Sequence, residues 1–162
     1  MKNKLRIRSV QDSDLNDVVS IFNYYIKNGF AAYLENEVNI SFFHNIKQIS
    51  QLFYVLELEA TVIGFAFLKN YLPYENFKHT GLLTYFISHE YTNKGLGTIV
   101  LNKLIKDAKE QGIHILLVNL SSLNHQSLNF HKKNGFIECG RFKNIAKKFN
   151  QAFDIIWMQK TL

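Results

Sequence analysis

The pattern of hydrophobic and polar residues changes its period several times along the chain, which predicts strands and helices in mixed order. In the first half the predicted elements are a strand at 5–8, a helix ending near Asn28-Gly29, a loop at 30–39, a short helix at 40–49 and strands at 52–58 and 62–68. The first helix carries its apolar residues, Leu15, Phe22 and Ile26 among them, on one face. Its end is indicated by the Asn-Gly pair, because glycine commonly terminates helices.

The second half of the chain continues the alternation between the two kinds of element. The pattern predicts a strand at 82–88, a long helix closed by Gly112, a strand at 113–120, a short helix at 124–134 and last strands at 136–142 and 153–158. A strand, a crossover helix and a next strand imply parallel pairing, whereas the earlier hairpin is antiparallel. We therefore expect a mixed α/β (α+β) fold in a single domain spanning residues 1–162. Its central, mostly antiparallel sheet should have about six to seven strands flanked by about four helices.

The composition is that of a folded protein. The chain has 162 residues, of which 47% are hydrophobic, and this excludes a disordered protein. Cys139 is the single cysteine, so no intrachain disulfide is possible, and a lone thiol fits a reducing compartment. No stretch approaches the ~20 apolar residues that span a bilayer, and the start has no apolar signal core. We expect a cytoplasmic protein without a membrane partner.

The net charge excludes only some classes of binding partner. A formal net charge of +6 attracts polyanions, acidic small molecules or phosphorylated cofactors. Only Arg6, Arg8 and Arg141 are arginines, and arginine is the residue that favours phosphate and base recognition, so we expect no nucleic-acid partner. The histidines have no metal-ligand spacing, and we expect no metal.

A glycine loop stands between the predicted strand 82–88 and the long helix, with the sequence Asn93-Lys94-Gly95-Leu96-Gly97-Thr98. Glycine lets the backbone approach an anion closely, and the N–H groups at a helix start suit a phosphate. The loop matches neither the Walker pattern nor the three-glycine dinucleotide pattern, because position 100 is valine. Taken alone, the two glycines are more typical of a plain tight turn.

A second motif lies downstream of the loop, with Asn124, Ser127, His131, Gly135 and Phe136 in the spacing N-x-x-S-x-x-x-H-x-x-x-G-F. Lys148 and Asp154 follow near the end. With these motifs the chain resembles the GCN5-related N-acetyltransferases, and within them the branch of phosphinothricin and methionine sulfoximine acetyltransferases. The order of elements agrees with that family over residues 5–162.

The resemblance implies acetyl-CoA as cosubstrate and a small-molecule amine as acceptor. The residues that it implies for the cosubstrate are Asn93, Lys94, Gly95, Leu96, Gly97 and Thr98 at the pyrophosphate, the backbone of Tyr85, Phe86 and Ile87 along the pantetheine arm, and Asn124 and Ser127 beside that arm. Asn124 also fits a helix N-cap, and Ser127 fits a hydroxyl at a helix start. Both interpretations stay open for each residue.

The acceptor side departs from the branch, which has a glutamate base where this chain has Leu82. A protonated amine cannot attack a thioester, so a route for deprotonation is required. An α-amine is partly neutral near neutral pH, and desolvation alone is one route. Glu75, His79 and Glu35 are the candidate replacement bases, although each also fits a solvated loop residue. Tyr74, Glu35 and Glu75 are the candidate acceptor contacts.

His131 stands where many members of the superfamily have a tyrosine that protonates the leaving thiolate. The resemblance therefore implies a proton donor, and the alternative is a half-buried histidine with a backbone partner. Cys139 is expected to be a small core residue rather than an acyl-carrying nucleophile. We accordingly expect direct transfer in a ternary complex. The basic residues between 132 and 148, Lys132 and Lys133 among them, either contact the 3′-phosphate of CoA or an acidic acceptor, or form a solvated face.

The expected function is N-acetylation of a small amino acid-like compound. Two alternatives stay open: a CoA-binding sensor or partner module with little catalysis, which Leu82 favours, and an acetyltransferase for protein N-termini or lysines. A homodimer is compatible with the apolar last strands.

Overall fold

The sheet of the computed structural model contains seven strands in the order β1-β2-β3-β4-β5-β7-β6. The strands are β1 (Leu5–Ser9), β2 (Ser50–Leu58), β3 (Thr61–Asn70), β4 (Thr80–Ile87), β5 (Ile115–Ser121), β6 (Ile137–Lys148) and β7 (Gln151–Thr161). The helices are α1 (Leu15–Lys27), α2 (Ile40–Ile49), α3 (Leu96–Glu110) and α4 (His125–Lys133). Among the strand pairs of residues 5–162, only β4 with β5 is parallel. The structure describes residues 5–162; residues 1–4, used above to exclude a signal core, lie outside it.

The predicted fold class is confirmed. The bounds of α2 coincide with the predicted 40–49, and the parallel pair lies where the crossover helix placed it. The main difference is β6, which was predicted to end at Phe142 and continues to Lys148. An irregularity in the pairing of β6 with β7 between Phe142 and Ala146 interrupts the alternation there, and this explains why the pattern hid the longer strand.

Each face of the sheet carries its own core, because successive side chains of a strand point to opposite faces. On β3, Ala66 and Leu68 belong to the core that includes Leu101 and Leu104 of α3. Phe65, on the other face, belongs to the core that includes residues of α1 and α2. Helices α1 and α2 therefore cover one face of the sheet, and α3 and α4 cover the other.

Cys139 is exposed, and the expectation of a core cysteine is wrong. Its thiol donates to the carbonyl oxygen of Trp157 at 3.4 Å. The reason is topological: β6 is an edge strand, and most of its residues carry exposed side chains.

Strands β4 and β5 separate soon after they meet. Their pairing covers only Thr80–Leu82 and Ile115–Leu117, whereas β4 remains paired with β3 up to Ile87. The edge of β4 that faces β5 is therefore unpaired beyond Leu82, and the two strands enclose a gap.

The backbone groups that face this gap follow from the alternation of hydrogen bonds in antiparallel strands. Tyr71 N–H donates to the carbonyl of Thr80, and Ser88 N–H donates to the carbonyl of Ile63. The even-numbered residues of β4 are thus bonded to β3. Tyr85 and Ile87, which are odd-numbered, direct their backbone groups toward the gap.

Candidate active site

A cavity of about 870 Å³ runs along the gap between β4 and β5. At one end it is bounded by the glycine turn before α3 and by α4, and at the other by α1, α2 and the segment 28–39 that joins them. We call this segment the acceptor loop, and the end of the cavity beneath it the acceptor end. Two compounds that enter from the two ends would meet at the open edge of β4.

The glycine turn leaves the start of α3 open. Gly95 lies in the left-handed region with φ +78°, a Cβ built there would meet nothing within 4 Å, and no side chain caps the helix. Leu96, Gly97 and Thr98 line the cavity. Uncapped N–H groups at a helix start, together with the helix dipole, fit a pyrophosphate.

The two glycines have different roles in this turn. Gly95 supplies the left-handed backbone, whereas a Cβ at Gly97 would lie 3.1 Å from a ring carbon of Phe130. Gly97 therefore lets α3 pack closely against α4. Lys94, whose backbone amide is predicted at the pyrophosphate, directs its side chain away: its Nζ donates to the carbonyl of Glu90 at 3.0 Å, and it is not among the residues that line the cavity.

The predicted cosubstrate residues of β4 and α4 border the cavity. Tyr85 offers its backbone groups and Ile87 its N–H, since the carbonyl of Ile87 accepts from the hydroxyl of Tyr25 at 2.6 Å. The backbone groups of Phe86 bond to β3, and its side chain packs in the core beneath α1. Asn124 is the N-cap of α4, since its Oδ1 accepts from Ser127 N–H at 3.2 Å. Its place on the cavity wall leaves its amide group available as well.

His131 is 2% exposed and both of its ring nitrogens are bonded. Nδ1 lies 2.7 Å from the carbonyl oxygen of Ser127, and because a carbonyl only accepts, Nδ1 carries the proton. Nε2 then accepts from the hydroxyl of Tyr85 at 2.5 Å. Burial lowers the pKa of His131 to about 4, and burial raises the pKa of Tyr85. At neutral pH this is an uncharged pair, and the proton on His131 is bonded away from the gap.

The loop before β4 does not bring its predicted residues to the cavity. Glu75 is exposed and pairs with Lys78 at 3.4 Å, Tyr74 is 65% exposed, and the side chain of His79 is exposed. None of the three borders the cavity. Glu35 accepts from Phe149 N–H at 3.2 Å and thereby ties the acceptor loop to the β6–β7 turn.

No carboxylate among residues 5–162 lines the cavity. The acceptor end is bordered mainly by aromatic and aliphatic side chains, and Lys69 is a cation that lies among them. Lys69 was not among the residues predicted from the sequence. The signal was present in the alternation Phe65, Phe67, Lys69, which puts the lysine on the face of β3 that α1 and α2 cover.

The acceptor loop is fastened at several points. Lys148, which is fully buried, donates to the carbonyl of Ala32 at 2.7 Å, and Tyr33 donates to Oδ1 of Asn119 at 2.9 Å. The side chain of Asn23 bonds both backbone groups of Val38 at 2.9 Å. Burial lowers the pKa of Lys148. The loop thus forms a fixed wall of the acceptor end.

The basic residues between 132 and 148 do not act as one surface. Lys148 is buried, and Arg141 pairs with Asp154 at 2.7 Å. Lys133 borders the cavity, while Lys132 is exposed. In the described part of the chain, no group of three or more His, Cys, Asp or Glu side chains is arranged to hold a metal ion. No helix of residues 5–162 combines the length and the apolar character needed to cross a membrane.

Comparisons with known proteins agree with this geometry. Residues 18–136 match the family described as Acetyltransferase (GNAT) family. The L-methionine sulfoximine/L-methionine sulfone acetyltransferase of Pseudomonas aeruginosa is 27% identical over 161 residues, which covers 96% of this chain and 94% of that protein.

Solved structures share the fold over nearly the whole chain. The ribosomal-protein-alanine N-acetyltransferase of Brucella melitensis has a TM-score of 0.90 at 29% identity and covers 97% of this chain and 99% of its own. A phosphinothricin acetyltransferase of Sinorhizobium meliloti in complex with acetyl-CoA has a TM-score of 0.91 at 21% identity, covering 98% of this chain and 88% of its own.

Proposed function

Because the chain belongs to the acetyltransferase (GNAT) family, we propose that it transfers an acetyl group from acetyl-CoA to the primary amine of a small amino acid-like acceptor. The observation that carries the proposal is the single cavity that joins the uncapped start of α3, the open edge of β4 and the acceptor end. The Pseudomonas aeruginosa relative, named for methionine sulfoximine and methionine sulfone, supports an amino acid-like acceptor.

Acetyl-CoA supplies the acetyl group as a thioester. The N–H groups of Leu96, Gly97 and Thr98 bind its pyrophosphate, in keeping with the left-handed turn at Gly95. The backbone groups of Tyr85 and the N–H of Ile87 hold the pantetheine arm as an added strand would be held, while the carbonyl of Ile87 stays bonded to Tyr25. Asn124 binds the arm beside α4.

The apolar surroundings of the cavity, rather than a carboxylate base, favour the neutral form of the acceptor amine. No carboxylate among the described residues borders the cavity, and the apolar walls disfavour an ammonium ion. An α-amine that enters the cavity in its neutral form needs no carboxylate to remove a proton before it attacks. The nitrogen then attacks the thioester carbonyl carbon, the carbon–sulfur bond breaks, and one amine proton is lost as the sulfur gains one.

Helix α4 and β4 orient this reaction through Tyr85 and His131. Their hydrogen bond fixes the hydroxyl of Tyr85 at the wall of the gap, and holding two reactants in a productive geometry supplies much of a rate enhancement. We assign His131 as a positioning residue. Tyr85 is the polar side chain that the thioester end of the arm meets.

A small acceptor is favoured over a protein N-terminus or lysine. A polypeptide needs an extended groove, whereas the acceptor loop is fastened over this end by Lys148, Tyr33 and Asn23. The homodimer compatible with the apolar last strands stays a prediction, which sedimentation velocity measures.

The proposal is tested by calorimetric titration with acetyl-CoA, followed by a thiol-release assay with a panel of amino acids. We expect one molecule bound per chain, and thiol release that depends on the amine. Binding without release for any amine would instead support the CoA-binding module.

Thr98→Glu and Thr98→Gln form a matched pair for the pyrophosphate site. A carboxylate in the first turn of α3 interacts favourably with the helix dipole, so Thr98→Glu retains the thermal stability of the free protein. It repels the pyrophosphate, however, and we expect at least a tenfold loss of affinity for acetyl-CoA that Thr98→Gln does not show. Equal affinities in the two variants would contradict the assignment.

A further inference from the structure

Lys69 lies directly opposite Leu82 in the sheet. The pairing of β3 with β4 joins Lys69 to Leu82, Phe67 to Thr84 and Phe65 to Phe86. Side chains of paired residues share one face of the sheet, and Phe65, Phe67 and Phe86 belong to the core beneath α1 and α2. The ammonium group of Lys69 is therefore carried on the face that borders the acceptor end.

The position along β4 is informative. Leu82 is the last residue of β4 that pairs with β5, so the gap opens immediately after it. A cation held opposite Leu82 therefore lies beside the point where β4 and β5 separate.

Lys69 has no partner of its own among the described residues. It is half-buried and borders the cavity, yet residues 5–162 give its ammonium group neither an ion pair nor a hydrogen bond. Its nitrogen is not sealed from solvent, so it is available to an anionic group that a ligand brings into the cavity.

The remaining walls of the acceptor end are mainly apolar, and the hydroxyls of Tyr25 and Tyr33 are already bonded within the protein. Phe22 contacts the rings of Phe42, Phe43 and Phe86 at centroid distances of 5.8, 5.4 and 5.2 Å, and Ile46 borders the same space. Such walls bury an apolar or aromatic group well and provide no partner for a second charge.

We propose that the acceptor is an α-amino acid with an apolar or aromatic side chain, and that Lys69 binds its carboxylate. The proposal rests on the proposed function and specifies its substrate. An α-amino acid carries its amine and carboxylate on one carbon. When the carboxylate binds to Lys69, the amine therefore lies near the point where β4 and β5 separate. The side chain then lies against the aromatic walls. Lys69 is thereby a specificity-determining residue for the acceptor.

The test compares L-phenylalanine with 2-phenylethylamine, which lacks the carboxylate, in a thiol-release assay at saturating acetyl-CoA. The variants are Lys69→Met, Lys69→Arg and the control Lys78→Met, whose lysine is exposed and pairs with Glu75 outside the cavity. The ratio of variant to parent kcat/KM is taken for each amine, so that differences in amine basicity cancel.

We expect Lys69→Met to lower kcat/KM for phenylalanine at least tenfold, mainly through KM, and to lower it much less for 2-phenylethylamine. Lys69→Arg retains most of the preference, because the guanidinium also binds carboxylates, and Lys78→Met leaves the ratio near one. Affinity for acetyl-CoA, measured by calorimetry, stays unchanged in Lys69→Met. Phenylalanine should also exceed glutamate and lysine as acceptor.

Two failures are distinguishable. Turnover that is equally sensitive to Lys69→Met for both amines, or a preference for glutamate or lysine, overturns this proposal and leaves the acetyltransferase function intact. Absence of thiol release with every amine tested overturns the proposed function, and the assignment of Lys69 with it.

Discussion

The hydroxyl of Tyr85 and Nε2 of His131 are joined by a hydrogen bond that links β4 to α4. Nδ1 of the same ring is held by the carbonyl of Ser127, so the tautomer of His131 is fixed by the helix that carries it. The residue that resemblance suggests as a proton donor is thus, in this arrangement, the acceptor of a proton shared by tyrosine.

Removal of either partner from this pair should destabilise the protein. Tyr85→Phe leaves Nε2 of a buried histidine without a donor, and His131→Leu leaves the tyrosine hydroxyl without its acceptor. Each should lower the free energy of unfolding by about 1–3 kcal/mol. The double variant should cost less than the sum, since it leaves neither group unpaired. Urea denaturation of the four proteins measures the coupling, and additive costs would show that the hydrogen bond adds nothing to stability.

The lowered pKa of His131 predicts a loss of stability in mild acid. The unfolded histidine has a pKa of about 6.5, whereas the folded ring has a pKa of about 4. Between these values the unfolded state binds a proton that the folded state does not, so stability falls as the pH falls. Between about pH 7.5 and about pH 5 this contributes a loss of about 2 kcal/mol.

The contribution is isolated by comparing variants. Carboxylates also titrate in acid, so the relevant quantity is the difference in pH slope between the parent and His131→Gln, measured by urea denaturation. His125→Gln, at an exposed position of the same helix, is the control for the exchange of histidine for glutamine. An identical slope in His131→Gln would mean that the ring is not held neutral by the fold.

The effect of Gly97→Ala on stability should depend on the residue at position 130: the change should destabilise the protein when that residue is phenylalanine and stabilise it when it is leucine. In the parent the new Cβ lies 3.1 Å from the ring of Phe130, which packs against both Tyr85 and His131. We expect a loss of about 1–2 kcal/mol from this overpacking. With Phe130→Leu the clash is relieved and the same change should stabilise by about 0.5–1 kcal/mol, because alanine is the better helix former.

Gly95→Ala is the control for this pair of measurements. Its cost arises from a left-handed backbone, with no atom within 4 Å of the new Cβ, and should be about 1 kcal/mol in both backgrounds. Thermal denaturation of the two series gives the comparison. A loss at Gly97 that persists with Phe130→Leu would point to the turn rather than to the helix contact.

Lys148→Met should loosen the acceptor loop and leave the cosubstrate site unaffected. The change removes the donor to the carbonyl of Ala32, and a buried acceptor left unsatisfied costs about 1–3 kcal/mol. We expect a several-fold rise in KM for the acceptor with an unchanged affinity for acetyl-CoA. Lys147→Met, at the neighbouring exposed position, should change neither. An increase confined to the KM of acetyl-CoA would contradict the placement.

Much of the fold follows from local pattern. The period of apolar residues predicted α2 to the residue, and strand–helix–strand order predicted the parallel pair. The pattern failed at β6, where polar Lys143 and Asn144 and a pairing irregularity break the alternation. The missed stretch pairs with the start of β7 next to the turn, Ala146 with Phe153 and Lys148 with Gln151, so what it lacks is regular alternation rather than closeness in sequence.

The parts of the site that depend on backbone conformation could be predicted from the sequence. The parts that depend on the pairing register of the strands were less predictable. The residue types of Gly95 and Asn124 are enough to predict a turn and a helix N-cap. Lys69 becomes meaningful only once it is paired with Leu82, thirteen positions along the chain. Conversely, Glu75 and His79 are close to β4 in sequence, but their loop leaves them in solvent.

The one-sided pairing of the free stretch of β4 has a consequence for amide hydrogen exchange. Thr84 and Phe86 bond to β3, whereas the N–H groups of Tyr85 and Ile87 face the gap, so protection in the free protein should alternate from one residue to the next. A ligand that completes the sheet there would slow exchange at Tyr85 and Ile87 and remove the alternation. The amide exchange rates along β4 therefore report, residue by residue, whether a ligand occupies the gap.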